Sequence, residues 1–288
     1  MSRSVTIPAY AKVNLHLDVL AKRPDGTHEL ITLFERIDLA DRVTVEETAD
    51  SRIELCCGYP DVPQDRTNLV VRAAEAYREA SGWSAGLRIT LEKRIPVAGG
   101  LGGGSSDAAA TLLALQELTG HQLSPPDLFR VAKGLGADVP FFLADAPWAL
   151  GTGRGDEIEP LDLNTRLWHL LVSPSFTVPT KAVYQAFSLT GPGPDVKLLY
   201  RALRDNHVGE VRDLLFNALE PTVEALYPAI RDVKAVIQTE AKISKPMVSG
   251  TGSTVMAVCV SHEEATAAAE VLKRQNPQWQ LLVAATKV

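Results

Sequence analysis

The segment RIPVAGGLGGGSSDAAATLLALQELTG, residues 94 to 120, has glycine at five of the six positions 99–104, followed by two serines and an alanine-rich helical pattern. A strand-like stretch, LRITLEKRI, overlaps its start, so the order is strand, glycine loop, helix. The first turn of a helix presents unpaired N–H groups and partial positive charge, and glycines let an anion approach the main chain. We therefore predict a phosphate site where the helix begins, near Ser105; a flexible hinge before a capped helix is the alternative.

Two common phosphate loops do not fit this segment. A P-loop carries a lysine directly before its last Ser or Thr, and here glycine occupies that position. The dinucleotide fingerprint has glycines at relative positions one, three and six. Counted from Gly100 or Gly102, the sixth residue is Ser105 or Asp107. The loop is thus predicted to bind phosphate in some other way.

Composition excludes several classes of protein. The chain has 288 residues, 45% of them hydrophobic, which suits one large or two closely packed domains. A formal charge of −6 with scattered lysines and arginines argues against a nucleic-acid partner. Cys56, Cys57 and Cys259 match neither a disulfide framework nor a zinc spacing, which favours a reducing cytoplasm. We see no signal peptide and no apolar run long enough to span a bilayer, so no membrane partner is expected.

Strand and helix patterns alternate along the chain, which predicts an α+β fold. From Val5 to Leu20 the period is two, with one face for the core and a polar face for chemistry or water. Helices are predicted over 68–81, from Ser124 to Gly134, and as one continuous helix over 223–239. We place a boundary between domains near residue 160.

The loop PVAGGLGGGSSDAAA resembles the phosphate-binding motif of the galactokinase, homoserine kinase, mevalonate kinase and phosphomevalonate kinase (GHMP) superfamily. AYAKVNLHLDV and MVSGTGSTVMAV are similar to its first and third motifs, so the resemblance covers nearly the whole chain. It implies the two-domain α+β GHMP kinase fold, with an ATP-binding N-terminal domain over 1–160, a C-terminal domain over 161–288, and the active site in the cleft between domains. The segments RPDGTHEL and GADVPFFL are most similar to one branch of this superfamily. The resemblance implies that the protein uses ATP with Mg²⁺ to phosphorylate a tertiary hydroxyl of cytidine diphosphate methylerythritol. This reaction belongs to the non-mevalonate route to isoprenoids.

The resemblance also assigns catalytic roles. Asp138, on a tight Gly-Ala approach before proline, is implied as the general base; a turn or N-cap aspartate is the alternative. Lys12 could pair with that carboxylate or steady the nucleophilic oxygen, and Asn14 is expected to contact the same substrate region. His16 and Asp18 share that face but lack support from the family, and we predict packing or surface roles for them.

The ATP-binding residues implied by the resemblance lie in and around the loop. Ser105 and Ser106 are expected to meet phosphate or the water shell of the metal, and Asn68 to lie near the adenine, with an N-cap role as its alternative. Asp107 poses a difficulty, because a carboxylate beside polyphosphate repels it. We expect it to satisfy helix N–H groups on the side away from ATP, with a position facing Mg²⁺ as the alternative. The full predicted set is Asn68, Pro96, Gly99, Gly100, Leu101, Gly102, Gly103, Gly104, Ser105 and Ser106.

The resemblance implies that the cytosine of the acceptor is read by His28 and stacked on Tyr184. Without the resemblance, His28 is a loop histidine and Tyr184 part of an apolar helix face with Val183 and Phe187. Thr27 stands where the family usually has tyrosine, so one wall of this predicted clamp differs. A kinase of the same superfamily acting on another alcohol, or a non-catalytic member, is the alternative. The sequence does not indicate an oligomeric state.

Overall fold

The computed structural model describes residues 3–189 and 191–288. The described residues contain strands and helices in mixed order, as the α+β prediction requires. The strands are β1 (Ser4–Lys22), β2 (His28–Thr48), β3 (Ile53–Cys57), β4 (Gly86–Glu92), β5 (Trp148–Thr152), β6 (Glu157–Pro160), β7 (Trp168–Ser173), β8 (Phe216–Asn217), β9 (Met247–Val248), β10 (Val255–Cys259) and β11 (Gln280–Ala285). The helices are α1 (Leu69–Ser81), α2 (Gly103–Thr119), α3 (Pro125–Leu135), α4 (Val139–Leu143), α5 (Thr180–Ala186), α6 (Val196–Arg204), α7 (Val208–Leu214), α8 (Glu220–Leu226), α9 (Ala229–Glu240) and α10 (His262–Gln275).

The chain divides into two compact units whose segments interleave along the sequence. Unit 1 comprises Met1–Ala11, Leu39–Val97 and Gly102–Asp145, and unit 2 comprises Lys12–Asp38, Ala98–Leu101 and Ala146–Val288. Both β1 and β2 contribute residues to each unit, and so does the glycine loop. The domain boundary between residues 160 and 161 stays a prediction.

Unit 1 is built from a small sheet and three packed helices. The end of β2 runs antiparallel to β4, and β3 runs parallel to β4. Helix α1 packs on α2 and α3, and α2 also packs on α4. Tyr77 of α1 is fully buried and its hydroxyl donates a 2.8 Å hydrogen bond to Gln116 Oε1 of α2. This buried polar contact fixes how α2, the helix after the glycine loop, lies against α1.

Unit 2 contains an antiparallel sheet of order β11-β7-β10-β9. In the same unit β8 pairs parallel to β1 through His16 and Phe216, and β5 pairs antiparallel to β2. Its apolar core takes side chains from β1, β7, β10 and the helices after residue 180. The stretch predicted as one helix over 223–239 is two helices, α8 and α9, because Pro228 separates them and proline cannot continue a helix.

The polar face predicted for β1 is buried rather than open to water. Lys12, Asn14, His16 and Asp18 are each less than 5% exposed. Asp18 accepts a hydrogen bond of 2.8 Å from the Gly193 backbone, and the His16 ring lies 5.4 Å from that of Phe216. Burial lowers the pKa of His16, against the opposing effect of Asp18. Of the packing and surface roles predicted for His16 and Asp18, their burial agrees with packing and not with a surface position.

Candidate active site

Helix α2 begins with an open N-terminus, as an anion site requires. Gly102, its N-cap residue, has φ 72° and no side chain accepts a capping hydrogen bond there. Only glycine adopts this left-handed conformation without strain. Gly104 is exposed, Ser105 is half-buried and Ser106 is only 2% exposed. Of the two serines, Ser105 is thus the more accessible to a ligand.

The turn that carries Asp138 lies beside Ser105 within unit 1. A Cβ placed on Gly136, two residues before Asp138, would stand 3.9 Å from Ser105 Oγ. Asp138 occupies the N-cap position of the short helix α4, but its side chain makes no capping hydrogen bond. The capping alternative for Asp138 is therefore not what the structure shows, whereas its role as general base stays a prediction.

Asn68 has the capping role that was its alternative. Its Oδ1 accepts from the Val70 N–H at 2.9 Å, and its Nδ2 donates to the Pro63 carbonyl at 2.7 Å. Nearby in unit 1, a cavity of about 560 Å³ is lined by Gln64 and by residues at the ends of β3 and β4, including Lys93. A contact of Asn68 with the adenine stays a prediction.

Asp107 does not serve the N–H groups of α2, contrary to expectation. Its Oδ2 accepts a 2.7 Å hydrogen bond from Lys93 Nζ, and Lys93 also pairs with Asp41. All three side chains are at most 5% exposed. Burial is the main cause that raises the pKa of Asp107, to about 7. We did not predict a role for Lys93 or Asp41. The position of Lys93 just before the loop was a signal in the sequence. Asp41 lies 52 residues from Lys93, and nothing in the sequence indicates that the two meet.

Residues 98–101 of the glycine loop are held within unit 2 by the first and third motifs. Lys12 N–H donates to the Leu101 carbonyl at 3.0 Å, and Thr254 N–H donates to the Gly99 carbonyl at 3.2 Å. Gly100 has φ 76°, and a Cβ there would lie 2.1 Å from the Ser249 carbonyl. Close backbone packing, as well as ligand access, therefore requires glycine at position 100.

Lys12 and Asn14 form one buried network in unit 2. Lys12 Nζ donates to Asn14 Oδ1 at 2.7 Å and to the Gly100 carbonyl at 3.1 Å. Asn14 Nδ2 in turn donates to Thr32 Oγ1 at 2.8 Å. The structure thus brings together Lys12, Asn14 and Gly100, three of the predicted site residues. A fixed ammonium of this kind can offset negative charge on a phosphoryl group or on an attacking oxygen.

Three rings meet where the cytosine clamp was predicted. The His28 and Tyr184 centroids are 5.1 Å apart, and Phe187 lies edge-on to His28 at 6.3 Å. Burial lowers the pKa of His28, with the charge of Lys22 as a second cause. A neutral imidazole carries one donor and one acceptor nitrogen. Phe187 is a site candidate that we had placed only on an apolar helix face.

Thr27 does not extend this group of rings. Its hydroxyl donates to Asp25 Oδ1 at 2.6 Å and its backbone N–H donates to the same atom at 2.9 Å. Threonine here therefore stabilises the turn that precedes β2.

Two observations concern ions and membranes. Within residues 3–189 and 191–288, no group of three or more His, Cys, Asp or Glu side chains is arranged to hold a metal ion. The helices in that part of the chain are all too short or too polar to cross a membrane.

Comparisons with known proteins agree with the motifs. The family models of the GHMP kinases N terminal domain and GHMP kinases C terminal match residues 68–145 and 195–278. The 4-diphosphocytidyl-2-C-methyl-D-erythritol kinase of Pelotomaculum thermopropionicum is 41% identical over 95% of this chain and 96% of its own length. That of Geobacter metallireducens is 40% identical, with the same coverage of both chains.

Solved structures show the same relationship. A crystal structure of 4-(cytidine 5'-diphospho)-2C-methyl-D-erythritol kinase matches with a TM-score of 0.82 and 36% identity, over 99% of this chain and 100% of that one. Homoserine kinase from Cytophaga hutchinsonii, at 20% identity over 99% of this chain and 95% of its own, shares the fold with a TM-score of 0.74. The chain therefore belongs to the GHMP kinases and, among these small-molecule kinases, to the family of the 4-diphosphocytidyl-2-C-methyl-D-erythritol kinases.

Proposed function

We propose that the protein transfers the γ-phosphate of ATP to the 2-hydroxyl of 4-diphosphocytidyl-2-C-methyl-D-erythritol, a step of the non-mevalonate route to isoprenoid precursors. The observation that carries this choice of acceptor is the pairing of His28 with Tyr184 at 5.1 Å, with Phe187 beside them. Aromatic faces stack on a pyrimidine, and a neutral imidazole matches its mixed donor and acceptor edge. Relatives that carry this substrate in their name support the same choice.

The nucleotide half of the proposal rests on unit 1. The uncapped start of α2 offers N–H groups and partial positive charge to the phosphates, with Ser105 as an accessible hydroxyl. The cavity lined by Gln64 and Lys93 offers space for the base. The hydroxyl of Ser105 is half-buried at this end of the helix and could meet a Mg²⁺ ion or its water shell, and such an ion takes most of its ligands from the phosphates and water. That ion would neutralise charge on the transferring phosphate.

The transfer itself needs alignment and charge more than covalent help from the protein. As the acceptor oxygen forms its bond to the γ-phosphorus and the bond to the β-phosphate oxygen breaks, Asp138 takes the proton of the hydroxyl. Lys12, fixed by Asn14 and the Gly100 carbonyl, offsets the charge on the reacting oxygens. Asn14 thus acts on Lys12 as well as on the acceptor.

A coupled assay of ADP release tests this proposal. The protein is given ATP, Mg²⁺ and one acceptor at a time: the cytidylated methylerythritol, free methylerythritol, homoserine or mevalonate. We expect kcat/KM for the cytidylated acceptor to exceed the others by at least about 10³-fold, since several base contacts are lost without cytidine. Comparable rates with homoserine or mevalonate would favour a kinase for another alcohol, and ADP release with none of them would favour a non-catalytic member.

A further inference from the structure

We propose that Lys93 is a positioning residue for ATP: through Asp41 and Asp107 it ties the chain entering the glycine loop to the helix leaving it. This inference rests on the proposed function only in taking the start of α2 as the phosphate site. Lys93, Asp41 and Asp107 all belong to unit 1. We refer to the three side chains as the Lys93 cluster.

The entering side of the loop is held by Asp41. Its Oδ1 accepts hydrogen bonds from the backbone N–H groups of Arg94, at 2.5 Å, and Ile95, at 2.8 Å. Its other oxygen pairs with Lys93 Nζ. A completely buried carboxylate with two backbone donors and an ammonium has little freedom to move. Residues 93–95 are therefore fixed just before the loop begins.

The leaving side is held by Asp107, the fifth residue of α2. Its Oδ2 accepts from Lys93 Nζ at 2.7 Å. The same ammonium lies close to the first helical residue, because a Cβ on Gly103 would stand 3.3 Å from Lys93 Nζ. Through Asp41, Lys93 is thus linked to the residues just before the loop, and through Asp107 it is linked to the first turns of the helix after it.

Burying two carboxylates and one ammonium costs desolvation free energy, and stability alone does not explain why these three residues occur beside the loop. Asp107 Oδ1 is buried and has no hydrogen-bond partner among residues 3–189 and 191–288. Two carboxylates lie close to the place where phosphate is proposed to bind, which by charge alone opposes ATP. Packing without charges would often be as stable as a buried ion pair. Because the pKa of Asp107 is raised to about 7, part of this negative charge is removed near neutral pH.

Whether removing the Asp107 carboxylate raises or lowers the KM for ATP separates two explanations of the Lys93 cluster. If Asp107 acts only through its charge, its removal lowers the KM for ATP, because a repelling group is gone. If the Lys93 cluster sets the direction of the α2 N–H groups, its removal raises that KM, because the groups no longer converge on the phosphates. Asp107→Ala leaves Lys93 paired with Asp41, so the variant contains no unpaired buried charge.

The experiment compares Asp107→Ala with Asp107→Asn, which keeps an oxygen acceptor for Lys93. We expect Asp107→Ala to raise the KM for ATP by about tenfold while the acceptor KM stays within about twofold, and Asp107→Asn to stay within about threefold of wild type for both. In calorimetry, the affinity for a non-hydrolysable ATP analogue should be weakest in Asp107→Ala and close to wild type in Asp107→Asn. The calorimetric measurement needs no acceptor. If the wild-type enzyme proved inactive, the proposed function would be refuted, and calorimetry would still test the role of Lys93 in ATP binding.

A matched control is Lys234→Met. Lys234 also bridges two carboxylates, Glu220 at 2.9 Å and Glu224 at 2.6 Å, but in unit 2. The Lys234→Met substitution should lower the melting temperature and leave the KM for ATP unchanged. Unaltered or tighter ATP binding in Asp107→Ala, or a rise in the acceptor KM equal to that for ATP, would overturn the inference. If Asp107→Ala does not fold, Asp107→Asn decides: a tenfold rise in its KM for ATP contradicts the role we assign.

Discussion

Lys12 Nζ donates a 2.7 Å hydrogen bond to Asn14 Oδ1, and both side chains are buried at less than 5% exposure. A lysine has many rotamers, so an ammonium fixed in this way is already oriented before substrates bind. The same Nζ donates to the Gly100 carbonyl, which connects the first motif to the glycine loop within unit 2. The geometry of Lys12 therefore depends on its neighbour two residues along the strand.

Asn14→Leu tests that dependence. The leucine keeps the volume but removes the acceptor, and a hydrogen bond to a charged group contributes about 1.5–3 kcal/mol. We expect kcat to fall about tenfold or more. Thr32→Val is the control: it removes the bond that Asn14 donates and the 2.7 Å bond that Thr32 donates to the His16 carbonyl, and it leaves the bond between Lys12 and Asn14 intact. Equal kinetics in Asn14→Leu and wild type would show that Lys12 needs no such partner.

Asp138→Asn tests the general base. The amide keeps the shape of the side chain but cannot accept the proton of the hydroxyl. We expect kcat to fall roughly 10²-fold or more, the usual scale for a positioned base, with ATP binding largely kept. The measurement is steady-state kinetics together with calorimetry of an ATP analogue. Near-normal turnover would remove Asp138 from the mechanism.

Gly104→Ala tests whether the loop glycines serve the ligand. Among the described residues, a Cβ at this position meets only Leu69, at 3.8 Å, so the fold has room for it. Alanine should even raise helix stability by up to about 1 kcal/mol, whereas its methyl group should weaken ATP binding. Gly134→Ala in α3 is the matched control, because no atom in the described part of the chain lies within 4 Å of that Cβ and Gly134 is remote in sequence from the loop. If both variants bind ATP equally well, the phosphate site lies elsewhere.

Tyr184→Ala and Thr27→Tyr test the clamp for cytosine. Stacking on an aromatic ring contributes about 1–3 kcal/mol per base, so losing Tyr184 should raise the acceptor KM by roughly tenfold with the KM for ATP unchanged. A tyrosine at position 27 should lower the acceptor KM by restoring the second wall. Phe176→Ala removes a ring from another stacked pair, with Tyr227 at 6.3 Å, and serves as the control. An acceptor KM unmoved by Tyr184→Ala would place the cytosine elsewhere.

The raised pKa of Asp107 predicts how stability changes with pH. The folded chain holds this proton up to about pH 7, whereas an exposed aspartate loses it near 3.8. Between these values the folded state binds more protons than the unfolded state, so this residue makes stability fall as pH rises. Asp107→Asn cannot ionise and should show a smaller drop in urea-unfolding free energy between pH 5 and pH 8 than wild type. Parallel curves for the two proteins would contradict the assigned pKa.

Local patterns predicted much of the fold. Glycine, proline and cap residues located α1 and α3 closely, because the signals that start and stop those helices are side chains of the helices themselves. The predicted single helix over 223–239 was wrong because we gave hydrophobic periodicity more weight than Pro228. The polar face of β1 was predicted to carry chemistry or to meet water, and from Ala11 to Val19 both faces of that strand are buried.

Contacts among the candidate site residues were predictable where motifs name the residues, and not where distant segments of the chain meet. Lys12, Asn14 and Gly100 were all predicted, and the structure joins them by hydrogen bonds. The role of Asp107 was missed because its partner Lys93 is held by Asp41, whose sequence position gives no sign that the two meet. The contact between Asp41 and Lys93 follows from the antiparallel pairing of β2 with β4, which local propensity does not reveal.

The position of the transferred phosphate tests the proposed kinase activity most directly. The enzyme is incubated with ATP, Mg²⁺ and 4-diphosphocytidyl-2-C-methyl-D-erythritol, and the products are followed by phosphorus NMR and mass spectrometry. We expect one equivalent of ADP and a product one phosphate heavier, with a new monoester resonance and both resonances of the cytidine diphosphate retained. ADP release without a new monoester, or a phosphate that appears on a nucleoside hydroxyl, would contradict the proposed activity.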